Sequence, residues 1–332
     1  IASWPSYDLS SLMEDYDEIL HADFQPLYNR ALFGRFAPGS TFKPCVSMAA
    51  LTEGTIDTNT YIACQGVYRR YEAQGYAPVC WIWGENHLTH GTDNVTLALR
   101  DSCNYFFYEV GHNLGIDKMD KYAKLFGLGE PTGIELQEDT GNMSSPDSHW
   151  DFVKEDWHIG DTMQAAIGQS DSVFTPLQLA EYCATVANGG QRHTASILKN
   201  VRSYDYSDNV YERDNEVISE IKSPDYNWDA VHEGMYLVAN DPNGSGYEVF
   251  QGYTTSSVAC KTGTSQKGET IKNTAVFMCY APFDDPEIAV AVVVEKGTSG
   301  AKAGPIARDV LEAYFNLKSV TDVTDLEGTL LK

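Results

Sequence analysis

Three apolar segments in the last third of the chain constrain its fold more than any other feature of the sequence. Residues 254–260, 275–281 and 288–294 are predicted to be strands separated by turn residues, a pattern typical of an antiparallel meander. The helical patterns precede these strands as one block and do not alternate with them. A chain with this order, ending in one more helix, is predicted to adopt an α+β fold.

The strand predicted at residues 288–294 is apolar on both faces, since its sequence is Ile-Ala-Val-Ala-Val-Val-Val. We therefore expect it to be a central strand of the sheet, with helices covering each side. Residues 305–315 supply one covering helix. A short strand that breaks at Pro5 is also expected over residues 1–9.

The helical block contains one helix with complete start and stop signals. Thr175 suits the N-cap, Pro176 suits the first turn, and Asn188-Gly-Gly190 suits the end of the helix. Residues 191–227 are polar and are expected to form loops or short strands. Helical spacing of apolar residues also occurs at 95–99, 105–114, 118–126 and 231–240.

Composition narrows the possible functions. The chain has 332 residues, of which 42% are hydrophobic, enough for one large domain or two modest ones. Its 47 acidic residues outnumber its 23 basic residues and give a net charge of -24, which disfavours nucleic acid as a partner. No apolar run approaches the ~20 residues of a membrane-spanning helix. Because the sequence starts at Ile1 inside a strand pattern, we expect it to be part of a longer protein.

A serine and a lysine three residues apart are the first candidates for chemistry. Ser40 and Lys43 follow the turn pair Pro38-Gly39 and precede an apolar segment, so a helix opening at Ser40 would place both side chains on one face. A serine hydroxyl is a weak nucleophile at neutral pH, and a lysine amine that sheds its proton in a dehydrated pocket can activate it. By itself, the pair is more typical of a capping serine followed by a solvated lysine.

Two later motifs supply further groups for the same chemistry. Ser102-x-Asn104 interrupts a helical pattern and offers a hydroxyl that can pass a proton and an amide that can hold an amine. The motif Lys261-Thr-Gly-Thr264 lies on a predicted strand, where alternation sends Lys261 and Gly263 to one face and both threonines to the other. Gly263 leaves room for another backbone to lie along the strand.

The order and spacing of the three motifs are distinctive, and the chain resembles the penicillin-binding protein transpeptidases. The second motif follows the first by about 60 residues, and the third follows the second by about 160. The resemblance extends over nearly the whole chain and is greatest to class B enzymes of the cell-elongation type. The other segments that carry it are Pro5-Ser-Tyr-Asp8, Asn29-Arg-Ala-Leu32, His90-Gly91, Phe106-Phe-Tyr-Glu109, Ala166-Ile-Gly-Gln169, Thr175-Pro-Leu-Gln178, Ala187-Asn-Gly-Gly190 and Ala281-Pro282.

The resemblance implies a fold like that of penicillin-binding proteins and serine β-lactamases, with a central, mostly antiparallel sheet flanked by helices and an all-helical subdomain. It implies a single transpeptidase domain over residues 1–332. The helical subdomain would cover roughly 40–180, and the sheet subdomain would be built from 1–35 and 190–320. An N-terminal membrane anchor and a pedestal domain, absent from this fragment, would place the domain on the extracytoplasmic side of the cell membrane.

The resemblance also implies a role for each catalytic residue. Ser40 attacks the penultimate D-Ala carbonyl of a peptidoglycan stem peptide, and Lys43 takes the hydroxyl proton. Ser102 relays that proton toward the leaving D-Ala with help from Lys261, and Asn104 holds the Lys43 amine and the substrate amide. The chemistry requires no cofactor.

Substrate binding is assigned by the same resemblance to Thr262, Gly263 and Thr264. The two threonines bind the carboxylate of the substrate or of a β-lactam, and backbone N–H groups of Ser40 and Thr264 form the oxyanion hole. The amine of a second stem peptide then converts the acyl-enzyme into a crosslink. The expected partners are therefore D-Ala-D-Ala stem peptides, β-lactams and the glycan polymerase of the elongation machinery.

Other functions of the same fold stay open from the sequence. A serine β-lactamase or a β-lactam sensor shares the first motif, but no segment supplies the base that a lactamase needs to activate water. A D,D-carboxypeptidase differs only in using water as the acceptor, and division-type or sporulation-type roles are compatible with the motifs. A noncatalytic wall-binding protein is disfavoured because all three motifs are intact.

Two cysteines and two histidines lie between the first two motifs. Cys64, Cys80, His87 and His90 offer two sulfurs and two imidazoles, a donor set that suits tetrahedral zinc. Their spacing matches no standard zinc finger. Such a site would brace the loop that leads to Ser102 and would not perform the chemistry.

Alternatives to this metal site remain. Asp93 or Asp101 could replace His87 as the fourth ligand. A disulfide between Cys64 and Cys80 is compatible with an extracytoplasmic location, and the thiols could also be merely buried. The seven cysteines have no dense regular spacing of the kind that marks a disulfide framework.

Overall fold

The computed structural model describes residues 1–266 and 272–321, and in the last helix it describes side chains as far as residue 317. The helices are α1 (Tyr16–His21), α2 (Arg30–Phe33), α3 (Lys43–Thr52), α4 (Trp81–Asn86), α5 (Val95–Arg100), α6 (Asn104–Leu114), α7 (Ile116–Leu125), α8 (Pro146–Val153), α9 (Ile159–Ala166), α10 (Pro176–Ala187), α11 (Asp225–Asn240), α12 (Tyr247–Phe250) and α13 (Gly304–Thr321). Single turns of 3-10 helix lie at Gly39–Phe42, Glu72–Gln74 and Gly300–Ala303.

The strands pair only in antiparallel fashion among these residues. Short two-stranded ribbons are formed by β1 (Ile62–Ala63) with β2 (Thr92–Asp93), β3 (Gln191–His193) with β6 (Val217–Glu220), and β4 (Asn200–Arg202) with β5 (Asn209–Glu212). The main sheet has the order β7 (Ala259–Ser265), β8 (Thr274–Ala281), β9 (Ile288–Val294). This sheet is the antiparallel meander that the sequence predicts, and the α+β class is confirmed.

The centre of the main sheet differs from the sequence-based expectation. Among the described residues β9 pairs on one side only, with β8, so the expectation that Ile288–Val294 is a central strand is wrong. The central strand is β8, every residue of which is buried. The continuous apolar run of β9 has another cause, because α10 and α13 both pack against it.

Two further strand predictions were wrong, one in its start and one in its existence. Strand β7 begins at Ala259 rather than at residue 254, and the Val258 carbonyl accepts a hydrogen bond from Asn240 Nδ2 at 2.9 Å. Residues 1–9 form no strand in the structure, and the Trp4 side chain is 80% exposed. A strand needs a pairing partner, which neither segment has among the described residues.

Helix α3 forms the centre of the helical region. All residues from Lys43 to Leu51 are buried, and the helix packs against α6, α7 and α11. Helix α10 has the predicted caps, since the Thr175 hydroxyl accepts a hydrogen bond from Gln178 N at 3.2 Å and Gln178 Oε1 accepts one from Thr175 N at 2.9 Å. No helix among residues 1–266 and 272–321 is both long and apolar enough to cross a bilayer.

Removing the cap of α10 tests this part of the fold. Thr175→Ala deletes the hydroxyl that satisfies Gln178 N, and we expect the free energy of unfolding to fall by about 1 kcal/mol. Thr175→Ser keeps the acceptor oxygen and loses only the buried methyl group, which the alanine variant loses as well, so the serine variant should be the more stable of the two. Urea unfolding of the three proteins gives the comparison, and equal stability of the alanine and serine variants would contradict the assignment.

Candidate active site

Ser40 lies on a tight turn that enters the buried helix α3. The turn Gly39–Phe42 is 3-10 helical, and the α-helix begins at Lys43, three residues later than predicted. Gly39 has a φ of 55°, a left-handed conformation that glycine adopts without strain. Ser40 is half-buried, whereas Thr41 and Phe42 are fully buried.

Lys43 is a buried cation held by three acceptors. Its Nζ donates to Asn104 Oδ1 at 2.7 Å, to the Ser102 carbonyl at 2.7 Å and to Ser102 Oγ at 3.2 Å. It also lies 5.3 Å from the centroid of the Phe107 ring. Burial lowers the pKa of Lys43 to about 8, although the Cys80 and Cys103 thiols act in the opposite direction. A substantial fraction of the amine is therefore neutral in weakly alkaline solution.

Ser102 connects Lys43 to a second buried lysine. Lys261 Nζ donates to Ser102 Oγ at 3.0 Å and to the Thr262 carbonyl at 3.2 Å. Burial, followed by the charge of Lys43, holds the pKa of Lys261 well below its usual range. Ser102 has a φ of 52°, an unusual conformation for a non-glycine residue that places its hydroxyl between the two amines.

The third motif lies on β7, the edge strand nearest to Ser40. Lys261 is fully buried and Thr262 is 8% exposed, while Thr264 is half-buried. The hydroxyls of Thr262 and Ser245 are 2.6 Å apart. The Thr264 hydroxyl accepts a hydrogen bond from Gly300 N at 3.2 Å and keeps its own proton for another acceptor.

Gly263 makes the close approach that the sequence predicts, but with the protein's own chain. A Cβ at Gly263 would lie 2.9 Å from Thr41 Cγ2 and 3.1 Å from Thr41 N. A Cβ at Gly39 would likewise lie 2.6 Å from the Thr264 carbonyl oxygen. The two glycines thus let the Ser40 turn lie directly against β7.

Two residues of the site were not singled out from the sequence. Gln169 Nε2 donates to the Thr264 carbonyl at 2.8 Å, and Ser245 meets Thr262 as described above. Gln169 belongs to a segment that carries the family resemblance, which was the only available signal. Ser245 follows an Asp-Pro-Asn-Gly turn that predicts a loop and no contact.

A cluster of cysteine and histidine side chains lies behind Ser102. Ligand atoms of Cys64, Cys80, His90 and Cys103 all lie within 4.8 Å of one another. Cys80 Sγ is 4.0 Å from Cys103 Sγ and 3.5 Å from His90 Nδ1. These separations are close to the ~3.8 Å expected between two sulfurs that each lie about 2.3 Å from a tetrahedral zinc ion. The four side chains therefore fit a zinc ion.

The fourth member of the cluster corrects the sequence-based expectation. Cys103 occupies the position that was assigned to His87, which caps the end of α4, lies exposed and packs its ring against Trp83. Asp93 and Asp101 are also outside the cluster, and Asp101 instead pairs with Arg100 at 2.7 Å. All seven cysteines are free thiols, so the disulfide alternative is wrong.

The side chains of the cluster shift one another's pKa values. Hydrogen bonds from the Cys103 and Cys64 thiols, opposed by burial, hold the pKa of Cys80 far below its usual range. Burial disfavours the charged form of His90, but contacts with Cys64 and Cys80 outweigh it and raise the pKa of His90 to about 9. Zinc binds a deprotonated thiolate and a neutral imidazole, so an ion at this cluster would displace protons from His90 and from Cys103, whose pKa its neighbours raise well above the usual range.

Comparison with known proteins shows which family this chain matches. The model of the penicillin binding protein transpeptidase domain matches residues 1–312. The peptidoglycan D,D-transpeptidase MrdA of Haemophilus influenzae is 34% identical over 350 aligned positions, which cover 95% of this chain and 50% of that protein. The chain thus spans about half the length of this curated relative.

Solved structures agree with the sequence comparisons. Penicillin-binding protein A of Mycobacterium tuberculosis, solved as its penicillin G acyl-enzyme, matches 94% of this chain and 70% of its own, with 26% identity and a TM-score of 0.78. A peptidoglycan synthase complex that coordinates polymerization and crosslinking contains a chain that matches all of this one. That match has a TM-score of 0.81 and 27% identity, and covers 54% of the complex's chain.

The buried environment of Lys43 can be measured directly. In protein labelled with ¹³C at lysine Cε, we expect one signal to titrate with a midpoint near the Lys43 pKa of about 8. The signal should be absent from Lys43→Met. Exposed lysines titrate near 10.4, so a Lys43 midpoint of about 10 would contradict the desolvated site.

Proposed function

The chain belongs to the penicillin-binding protein transpeptidase family, and we propose that it is the catalytic domain of a peptidoglycan D,D-transpeptidase with Ser40 as its nucleophile. The observation that carries the proposal is the meeting of Lys43 and Lys261 at the Ser102 hydroxyl, at 3.2 and 3.0 Å. Two lysines that are buried within hydrogen-bonding distance of one serine form a path for a proton and are a costly arrangement for stability alone.

Acylation begins at the half-buried Ser40. The neutral amine of Lys43 accepts the hydroxyl proton while Oγ forms a bond to the carbonyl carbon of the penultimate D-Ala. The C–N bond to the terminal D-Ala breaks, and the proton passes through Ser102 to the leaving amine. Asn104 Oδ1 accepts a hydrogen bond from Lys43 Nζ at 2.7 Å, which fixes the direction of one N–H bond of the amine.

Deacylation reverses the proton path. The amine of a second stem peptide attacks the ester carbon, its N–C bond forms and the bond from Ser40 Oγ breaks. The proton lost by the amine returns to the serine oxygen through the same groups. The product is a crosslink between two stem peptides, and this family requires no cofactor for the chemistry.

Substrate recognition is assigned to β7. The Thr264 hydroxyl retains a proton to donate to a carboxylate, and the buried amine of Lys261, when protonated, adds positive potential in a strongly acidic chain. The backbone N–H groups of Ser40 and Thr264 are the assigned oxyanion donors. Their nearness rests on the contact between Gly39 and Thr264.

We also assign the chain its setting in the cell. The likeness to MrdA and to a chain of a peptidoglycan synthase complex supports a role in cell elongation beside a glycan polymerase. The domain would act on the extracytoplasmic side of the membrane, preceded by an anchor and a pedestal domain. Within it, residues 40–180 would form the helical subdomain, and residues 1–35 with 190–320 the sheet subdomain.

Zinc is proposed as a structural ion held by Cys64, Cys80, His90 and Cys103. Such an ion would crosslink the segments that carry its ligands and would take no part in the reaction of the substrate. Cys103 lies between Ser102 and Asn104, so its sulfur would anchor the backbone that carries both catalytic side chains. The cluster would therefore brace the second motif.

Covalent labelling tests the nucleophile. Incubation with penicillin G should add the mass of one penicillin to a peptide containing Ser40, and the adduct should persist because no recognisable segment of the sequence supplies a lactamase base. Ser40→Ala should abolish the adduct, while Ser47→Ala, a matched change about two turns along the same segment, should retain it. An adduct on another residue would contradict the proposal, and rapid release of hydrolysed penicillin would indicate a β-lactamase.

Metal content tests the cluster. Protein purified without added zinc should contain about one zinc ion per chain, and Cys103→Ser should lose it on dialysis because a thiolate ligand is replaced by a weaker donor. His87→Ala should retain the metal. Cys183→Ser is the matched control, since its buried thiol lies outside the cluster and contacts the Cys279 carbonyl at 3.4 Å. A zinc content near zero in wild type would contradict the proposal.

A further inference from the structure

Gln169 lies in a loop that contacts both the turn carrying Ser40 and the end of β7. Its neighbour Gly168 accepts a hydrogen bond from Gly39 N at 2.8 Å, which holds the turn that carries Ser40. Gln169 itself contacts β7, because its Nε2 donates to the Thr264 carbonyl at 2.8 Å. Two consecutive residues of one loop therefore hold the nucleophile and the end of β7.

The side-chain amide of Gln169 pairs with β7 in the manner of a neighbouring strand. In addition to its bond to Thr264, its Oε1 accepts from Gln266 N at 3.3 Å. Positions 264 and 266 are two residues apart, so their backbone groups point to the same edge of the strand. Among the described residues that edge carries no strand, since β7 pairs only with β8. One amide thus satisfies an acceptor and a donor that an edge strand leaves open.

This pairing bears on the assigned oxyanion hole. In an antiparallel strand the N–H and C=O of one residue point to the same side, so a fixed Thr264 carbonyl also fixes the direction of the Thr264 N–H. An oxyanion donor acts at about 2.7–3.1 Å, and a displacement of ~1 Å at a reacting centre can cost roughly 100-fold in rate. The distance between Ser40 and the Thr264 N–H must therefore stay constant, and this requires a rigid link between the two segments.

We propose that Gln169 is a positioning residue that supplies this link, and that it controls the rate of acylation rather than the binding of the substrate carboxylate. The proposal rests on the proposed function, because it assumes attack by Ser40. Carboxylate binding is left to Lys261 and the threonine hydroxyls, none of which Gln169 contacts through its side chain.

The test uses the time course of acylation by a fluorescent penicillin, which separates the dissociation constant of the initial complex from the acylation rate constant. Gln169→Leu removes both hydrogen bonds at similar size. We expect its acylation rate constant to fall about 10- to 100-fold while the dissociation constant stays within about twofold of wild type. Gln251→Leu, at an exposed glutamine remote in sequence, should match wild type in both constants.

A pH profile distinguishes positioning from a general loss of structure. In Gln169→Glu the ionised carboxylate cannot donate to the Thr264 carbonyl, whereas the protonated carboxyl can. The acylation rate of this variant relative to wild type should therefore rise as the pH falls from about 8 toward the carboxyl pKa of about 4 to 5. The same ratio for Gln169→Leu should stay flat.

The outcomes separate this proposal from the one on which it rests. Unchanged acylation rate constants in the leucine variant, or a flat pH ratio in the glutamate variant, would overturn the role of Gln169 alone. A leucine variant that loses affinity but keeps its acylation rate would also overturn it. If the wild-type chain forms no adduct at Ser40, the proposed function fails and this role fails with it.

Discussion

Two lysine amines buried around one serine hydroxyl are the constraint on which the rest of this structure depends. A buried ammonium group is unfavourable unless acceptors replace its lost water. Lys43 has the Ser102 carbonyl, the Ser102 hydroxyl and the Asn104 amide oxygen, and its pKa still falls to about 8. The fold therefore has to bring Lys43 and Lys261, which are 59 and 159 residues from Ser102 along the chain, to within hydrogen-bonding distance of it and hold them there.

The packing that achieves this leaves little room for side chains. Gly39 and Gly263 face each other's segments, so the turn that carries Ser40 lies against β7 without an intervening layer. Behind the turn, α3 is buried along Lys43 to Leu51, which limits its movement. On the far side, Cys103 ties the second motif to the cysteine and histidine cluster. The reactive groups are thus supported from three directions, by β7, by α3 and by the cluster.

The sequence was informative where local chemistry decides the structure. Thr175 and Pro176 mark the start of α10 because capping depends on neighbouring residues, and the three motifs were recognisable because their spacing is characteristic.

The sequence was uninformative where contacts are long-range. His87 was proposed as a member of the cluster because it lies between the first two motifs, whereas Cys103 appeared only as the variable residue of the second motif. The apolar pattern of β9 indicates coverage on both faces, but coverage by α10 and α13 does not place a strand at the centre of a sheet. Gln169 acts through a side-chain amide that mimics backbone, and no sequence pattern predicts such a contact.

The central claim is that this network transfers a peptide's acyl group through Ser40. The most direct measurement is the amount of D-alanine released from a peptide ending in D-Ala-D-Ala, with and without an amine acceptor, in wild type and in Ser40→Ala. The account predicts that wild type releases one D-alanine for each new amide formed with the acceptor, and that the variant releases none. Equal release by the variant would contradict the account, and release by wild type that never yields the new amide would show that water is the acceptor.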